Sequence, residues 1–485
     1  MGQEIARSHF SAADFQRFHG QLKSETDALA CDTAAGRFSD PRFVIGFELE
    51  AWLLDHAGFP NPVNTPLLER LDDHLVVPEL SRFNIELNGP PAPMGAGVLN
   101  ALEQGLTRTW NKCQATAHGM DAALAMIGIL PNIRGSDLTL ANMSDMKRYR
   151  VLNEQVLKQR QGAPLHIHIQ GEESLECHLP DVMLEAATTS FQVHLQVPFA
   201  RAARYYNAAL IACAPLMAAS GNSPLLFGKR LWHETRILLF EQSVELGGYG
   251  GLADAGVRRV SFGQGYVRDS LLELFRENLD LFPVLLPMPL DEPAEHYPHL
   301  RQHNGSIWRW VRPLVGFDET GQAHVRLEQR IFPSGPTLLD MVANCACHFG
   351  LSRALAEAPE APEAPEARLP FAAARANFYA AARDGLAASL LWLDGERYSA
   401  TDFWLRIGLP LAQQGLCDFG LETAEIERYL GVVAARVRGG QTGAVWQLAH
   451  LDKQGGEASE AAVAEMLADY RENQRSGAPV HEWSV

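Results

Sequence analysis

Four segments of this chain alternate apolar and polar residues with the period of a β-strand, and their polar positions carry an uncommon set of side chains. In FVIGFELEAWLLD (43–55), Phe47, Leu49 and Ala51 fall on one face, and Glu48 and Glu50 on the other. In the segment 82–88, Asn84, Glu86 and Asn88 share a face opposite Ile85 and Leu87. In SFQVHLQV (190–197), Gln192, His194 and Gln196 oppose Phe191, Val193, Leu195 and Val197. In AHVRLEQRIF (323–332), Arg326, Glu328 and Arg330 oppose Val325, Leu327 and Ile331. A wet strand face usually carries Lys and Thr, and these four segments contain no Lys. Asn, Gln, His and Glu suit a concave surface that binds something polar. Carboxylates held two residues apart repel one another, and if buried they need a partner or a cation. Oxygen-rich donor sets suit Mg²⁺ or Mn²⁺ rather than Zn²⁺. Arginines beside them suit phosphate oxygens, and the combination belongs to phosphoryl transfer.

Helical patterns over 8–35, 95–127, 144–160, 201–220 and 336–355 separate these strands and a further alternating segment, PLHIHIQG (164–171). The apolar run AMIGILP (125–131) reads as a strand. The helical stretches are long and unequal, without regular β-α-β spacing, which favours an α+β fold with a mainly antiparallel sheet. The segment AEAPEAPEAPEA (356–367) cannot build a core and reads as an exposed, polyproline-biased linker. The expected organisation is a body at 1–355, a linker at 356–370 and a helical region at 371–485 that ends in a polar tail, 478–485. That region is a candidate cap over the site or a homo-oligomer interface.

The balance of 41 basic and 58 acidic residues, a net charge of −17, argues against nucleic acid and anionic lipid as partners. No apolar run approaches a membrane span, the N-terminus lacks the apolar core of a signal peptide, and the seven cysteines form no C-x-x-C pair. A cytoplasmic protein with reduced thiols is the expectation, with Cys345 and Cys347 buried and Trp308, Trp310 and Phe317 in the core. GNSPLLFGKR (221–230) has the wrong spacing for a phosphate-binding P-loop, and GQGYVRD (263–269) lacks the third glycine of a dinucleotide fingerprint. Two other readings stay open. One is a metal-dependent hydrolase using His166, His168 and His194; the other is a binding protein without turnover.

GFELEAWLL, NIELNGP, TTSFQVHLQV, ASGNSPLLFGKRLWHETR and VRLEQRIFPSGPT, in that order over about residues 40–350, resemble the glutamate–cysteine ligase type 2 family. The resemblance implies the glutamine synthetase/guanido-kinase superfold: a curved antiparallel sheet with its active site on the concave face and helices on the outer face. It implies ATP and Mg²⁺ (or Mn²⁺) as cofactors, amino-acid or other carboxylate and amine substrates, and a place in glutathione biosynthesis. By residue, it implies metal binding by Glu48, Glu50, Glu86, His194 and Glu328. It implies catalytic arginines at Arg330 and Arg236, with Arg236, Asn222, Arg326 and Gln192 as substrate or nucleotide contacts. The implied reaction is amide formation through an acyl phosphate. The segment before Arg236 reads His233-Glu234-Thr235, where the family often has Ser-Phe-Arg, and the identity of the amine acceptor is left open.

Overall fold

A computed structural model describes residues 7, 9–38, 42–246, 258–359 and 364–485. Its centre is an eight-stranded antiparallel sheet, whose strands we number β1 (Val44–Leu54), β2 (Val76–Pro78), β3 (Asn84–Asn88), β4 (Ala92–Pro93), β5 (Ala123–Ala125), β6 (Phe191–Val197), β7 (Val311–Phe317) and β8 (Ala323–Gln329). The spatial order is β7-β8-β6-β1-β3-β2, with β4 and β5 pairing to the two ends of β1. The fold is α+β, as the strand spacing implied. All four alternating segments are neighbours in this sheet. Directly opposed residues share a face in an antiparallel pair. The register sets Glu50 opposite Glu86, Glu48 opposite Gln192, and His194 opposite Glu328, so the polar faces merge into one surface.

The apolar face is covered by the helices Ala202–Ser220 and Leu338–Ala356, both of which are buried nearly all round, as helices in the middle of a core must be. Gln329, the polar side chain on this face, is buried and donates to the carbonyl of Ala209. The long helix Ala12–Ala34 starts where Ser11 and Asp14 form a capping box. Val311–Phe317 was not legible as a strand because Pro313 and Gly316 interrupt its pattern. Proline is tolerated there because β7 lies on the sheet's edge. Of the run 125–131, only Ala125 lies in a strand, as the last residue of Ala123–Ala125, and the rest turns.

The region from 371 onward is mostly helical, with one short hairpin (Ser389–Leu391 and Arg397–Ser399), and shares its core with the sheet: Phe403, Trp404 and Trp446 belong to the same buried cluster as Leu49 and Phe191. The helix Leu409–Asp418 lies against Leu338–Ala356 at Gly350 and Gly415, where neither position has room for a Cβ. Arg436 donates to Asp340 (2.8 Å) and Asn344 (2.6 Å), both buried on Leu338–Ala356. The terminal segment is not the free tail its polarity suggested. Val480 is buried, and Trp483 packs edge-on against Trp446 and Tyr470. Part of the Ala-Pro-Glu segment, 360–363, lies outside the described residues. Its described flanks are not an extended spacer: one helix runs to Ala356, Pro365 opens the turn Pro365–Arg368, and Arg204 donates to the carbonyl of Ala358.

Candidate active site

The merged polar face forms the floor of a cavity of about 390 Å³. Two sets of charged side chains meet on it.

The first set is acidic. Glu50 on β1, Glu86 on β3 and Glu79, one residue beyond β2, bring carboxylate oxygens within 4.8 Å of one another. Pleating explains the convergence: Glu50 and Glu86 are directly opposed, and Glu79 follows by two residues Val77, which is opposed to Glu86. Glu50 accepts hydrogen bonds from the Ser190 backbone N–H (2.6 Å) and the Gln192 amide (3.0 Å). Glu86 accepts from Asn88 through one oxygen, and its buried Oε2 has no partner. Burial, then the charge of Glu79, pushes the Glu50 carboxyl up to about 8 against the pull of Arg330. Burial, with Glu48 and Glu79, pushes Glu86 well above the usual carboxylate range. Burial also raises Glu79, although Arg148 acts the other way.

The second set is paired. Glu48 Oε1 lies 3.3 Å from His194 Nε2, and Arg326 donates to His194 Nδ1 at 3.3 Å. Burial would raise Glu48, but the adjacent imidazole outweighs it and holds the carboxyl down to about 2. Arg312 grips Glu328 through Nη2 (2.8 and 3.0 Å to the two oxygens) and Nε (3.2 Å). Arg330 donates to both Glu328 and Gln192. Burial opposes ionisation of Glu328, and the charges of Arg312 and Arg330 overcome it, so its pKa is depressed.

The five expected metal ligands therefore divide. Glu50 and Glu86 converge with Glu79, whereas Glu48 and His194 face each other and Glu328 is held by two arginines on the same face. His194 does not line the cavity; it sits behind Glu48. Gln192, Arg326 and Arg330 line the cavity. Arg236 does not: it is buried, donates to Glu234 (3.0 Å) and to the carbonyls of Arg330 and Ile331, and lies 5.5 Å from the Trp310 ring centre. Its guanidinium borders a small side pocket shared with Glu50, Glu185 and Arg330. Asn222 was expected to touch substrate, and the structure corrects this. It is fully buried, donates to Ser334 O and Tyr470 OH and accepts from Gln447, away from the cavity.

Pattern reasoning missed Glu79, Arg148, Glu185 and Arg312, all of which line the cavity. Glu79 was recoverable from its two-residue step from Val77. Arg148 and Glu185 come from a helix and a 3₁₀ turn, where strand alternation gives no signal. Of the aromatic residues expected in the core, Trp310 is buried, whereas Trp308 and Phe317 line the cavity. Cys345 and Cys347 are buried. The grouping of His166, His168 and His194 does not form. His166 and His168 are exposed on a separate hairpin (Leu165–Gln170 and Ser174–Leu179), and His194 is buried in the main sheet. Among the described residues, no helix is long and apolar enough to cross a membrane.

The architecture has a known counterpart. A glutamate–cysteine ligase from Francisella tularensis, in complex with AMP, is 12% identical over 92% of this chain and 96% of its own, with a TM-score of 0.55. A bifunctional glutathione synthetase from Pasteurella multocida is 12% identical over 95% of this chain and 55% of its own, with a TM-score of 0.49. Among curated proteins, none matches the chain in sequence. The family model described as glutamate-cysteine ligase family 2 matches residues 44–466, and the protein belongs to that family.

Proposed function

We propose that the protein is an ATP-dependent carboxylate–amine ligase of the glutamate–cysteine ligase kind. The observation that supports this most is the convergence of Glu50, Glu79 and Glu86 in a cavity that also presents Arg330.

The acidic set fits a divalent cation on its own chemistry. Three closely set carboxyl groups, Glu86 buried and Glu50 and Glu79 half-buried, resist ionising together, all three pKa values being pushed upward, and Glu86 Oε2 has no partner. All donors are hard oxygens, the preference of Mg²⁺ or Mn²⁺. Glu50, Glu79 and Glu86 would hold the ion, which supplies charge neutralisation for a bound polyphosphate. Gln192 and Ser190 keep Glu50 oriented. Arg330 and Arg326 offer guanidinium N–H groups to an anionic carboxylate or to the phosphoryl group in transfer. Arg236 acts at one remove, holding the backbone that carries Arg330.

A carboxylate resists attack by amines because neither oxygen can leave. Transfer of the γ-phosphoryl group of ATP to a carboxylate oxygen gives ADP and an acyl phosphate. A neutral amine then attacks the carbonyl carbon, the C–N bond forms, the C–O bond to phosphate breaks, and the amine loses one proton. The apolar wall formed by Leu80, Leu152, Val182, Phe240 and Leu300 limits water near the activated acyl group, which would otherwise hydrolyse.

The test is release of ADP and phosphate with a panel of carboxylates and amines, glutamate with cysteine first. Release should require ATP, Mg²⁺, an acid and an amine together. A broad panel that never stimulates ATP turnover would overturn the reading.

A further inference from the structure

The hairpin Leu165–Gln170/Ser174–Leu179 stands outside the main sheet and takes no part in the cavity. Its inner face is apolar and buried at Leu165, Ile167, Ile169 and Leu175. Its outer face carries His166 and His168 on one strand and His178 and Glu176 on the other. The register sets His166 directly opposite His178, and His168 opposite Glu176. The rings of His166 and His178 stack with centroids 4.6 Å apart and planes 10° from parallel, and His168 lies 6.5 Å from His166. His166 Nε2 is 3.0 Å from Glu176 Oε1. All four side chains are exposed.

An ordinary solvated strand face has no reason to gather three imidazoles, which are weak bases of like charge when protonated. Opposed histidines on an antiparallel pair lie close enough for small χ rotations to turn both ring nitrogens onto one ion, and exposed rings rotate at little cost. The backbone beneath them is fixed: Gln242 accepts from the His168 N–H (2.7 Å) and donates to its carbonyl (3.2 Å). Imidazole nitrogen with one carboxylate is a donor set for Zn²⁺, Ni²⁺ or Cu²⁺, and differs in kind from the all-oxygen set in the cavity.

We propose that the outer face of this hairpin is a second metal site, which takes a divalent transition metal on His166, His178 and Glu176 with His168 alongside. It does not depend on the ligase reading, and no hydrolytic chemistry is assigned to it.

The test uses the full chain, stripped with EDTA, desalted, and kept in excess Mg²⁺ so that the cavity carboxylates are occupied. Calorimetric titration should show one Zn²⁺ bound in the range of about 1–50 μM, weakened about 10-fold or more in His166→Asn and in His178→Asn and unchanged in Glu50→Gln. Electron paramagnetic resonance of one added equivalent of Cu²⁺ should show nitrogen coupling that the double variant loses. Zn²⁺ binding that survives both His substitutions, or none tighter than about 100 μM, would overturn the proposal.

Discussion

Glu50→Gln should stabilise the protein in the absence of divalent cations, while abolishing turnover. The wild-type carboxyl is pushed from an ordinary 4.5 to about 8, chiefly by burial and by Glu79. Between those values the folded chain holds a proton that the unfolded chain releases, so stability falls as pH rises through this window. The slope for one such group is about 1.4 kcal/mol per pH unit, giving a ceiling of about 3 kcal/mol by pH 7. Glu50 lines a cavity that admits water and shares its repulsion with Glu79 and Glu86, so about 1–2 kcal/mol is the expected share. Gln keeps the size of the side chain and an acceptor for the Ser190 N–H without the charge. Unfolding in EDTA at pH 5 and pH 8 is the assay. Wild type should lose about 1–2 kcal/mol more than the variant over that interval, roughly 1–2 °C for a chain of this length. Adding Mg²⁺ at pH 8 should recover the loss in wild type and change the variant less. A variant that loses stability as steeply as wild type, or that is less stable than wild type at pH 8 in EDTA, would refute the picture of a carboxylate cluster waiting for a cation.

Two further outcomes follow from the packing. Glu328→Gln leaves the half-buried Arg312 and Arg330 without their counter-charge and should cost about 2–3 kcal/mol, read as a lower urea midpoint; an unchanged midpoint would mean water solvates the guanidiniums in its place. Deleting 478–485 removes Trp483 from its seat on Trp446 and Tyr470 and should cost about 3 kcal/mol; an unaltered thermal midpoint would mean the segment is not docked.

The sheet was legible because a strand with one dry face repeats every two residues, and four segments do so. Their polar faces were legible for the same reason, which is why Glu48, Glu50, Glu86, Gln192, Arg326 and Arg330 could be placed on one surface, and all six line the cavity. Elements without that period escaped. Val311–Phe317 is broken by Pro313, Glu79 follows a strand of three residues, and Arg148 and Glu185 arrive from helical turns. Asn222 was misplaced because a buried amide that donates to a carbonyl and a hydroxyl cannot be told from a ligand contact by residue type alone.

Alternation along each strand settles which side chains share a face, and the chain's own residues therefore determine an α+β sheet with one polar surface rich in Glu and Arg. Partnership on that surface is decided elsewhere. Register between β1 and β3, with Glu79 just past β2, makes one cluster of carboxylates, while register between β7 and β8 sets Glu328 opposite Arg312 and leaves His194 to Glu48 and Arg326. The same four glutamates of the strand pattern thus take opposite roles, two driven toward protonation and two held ionised. A carboxylate's charge depends on what lies within a few ångströms, and those neighbours come from parts of the chain far apart in sequence.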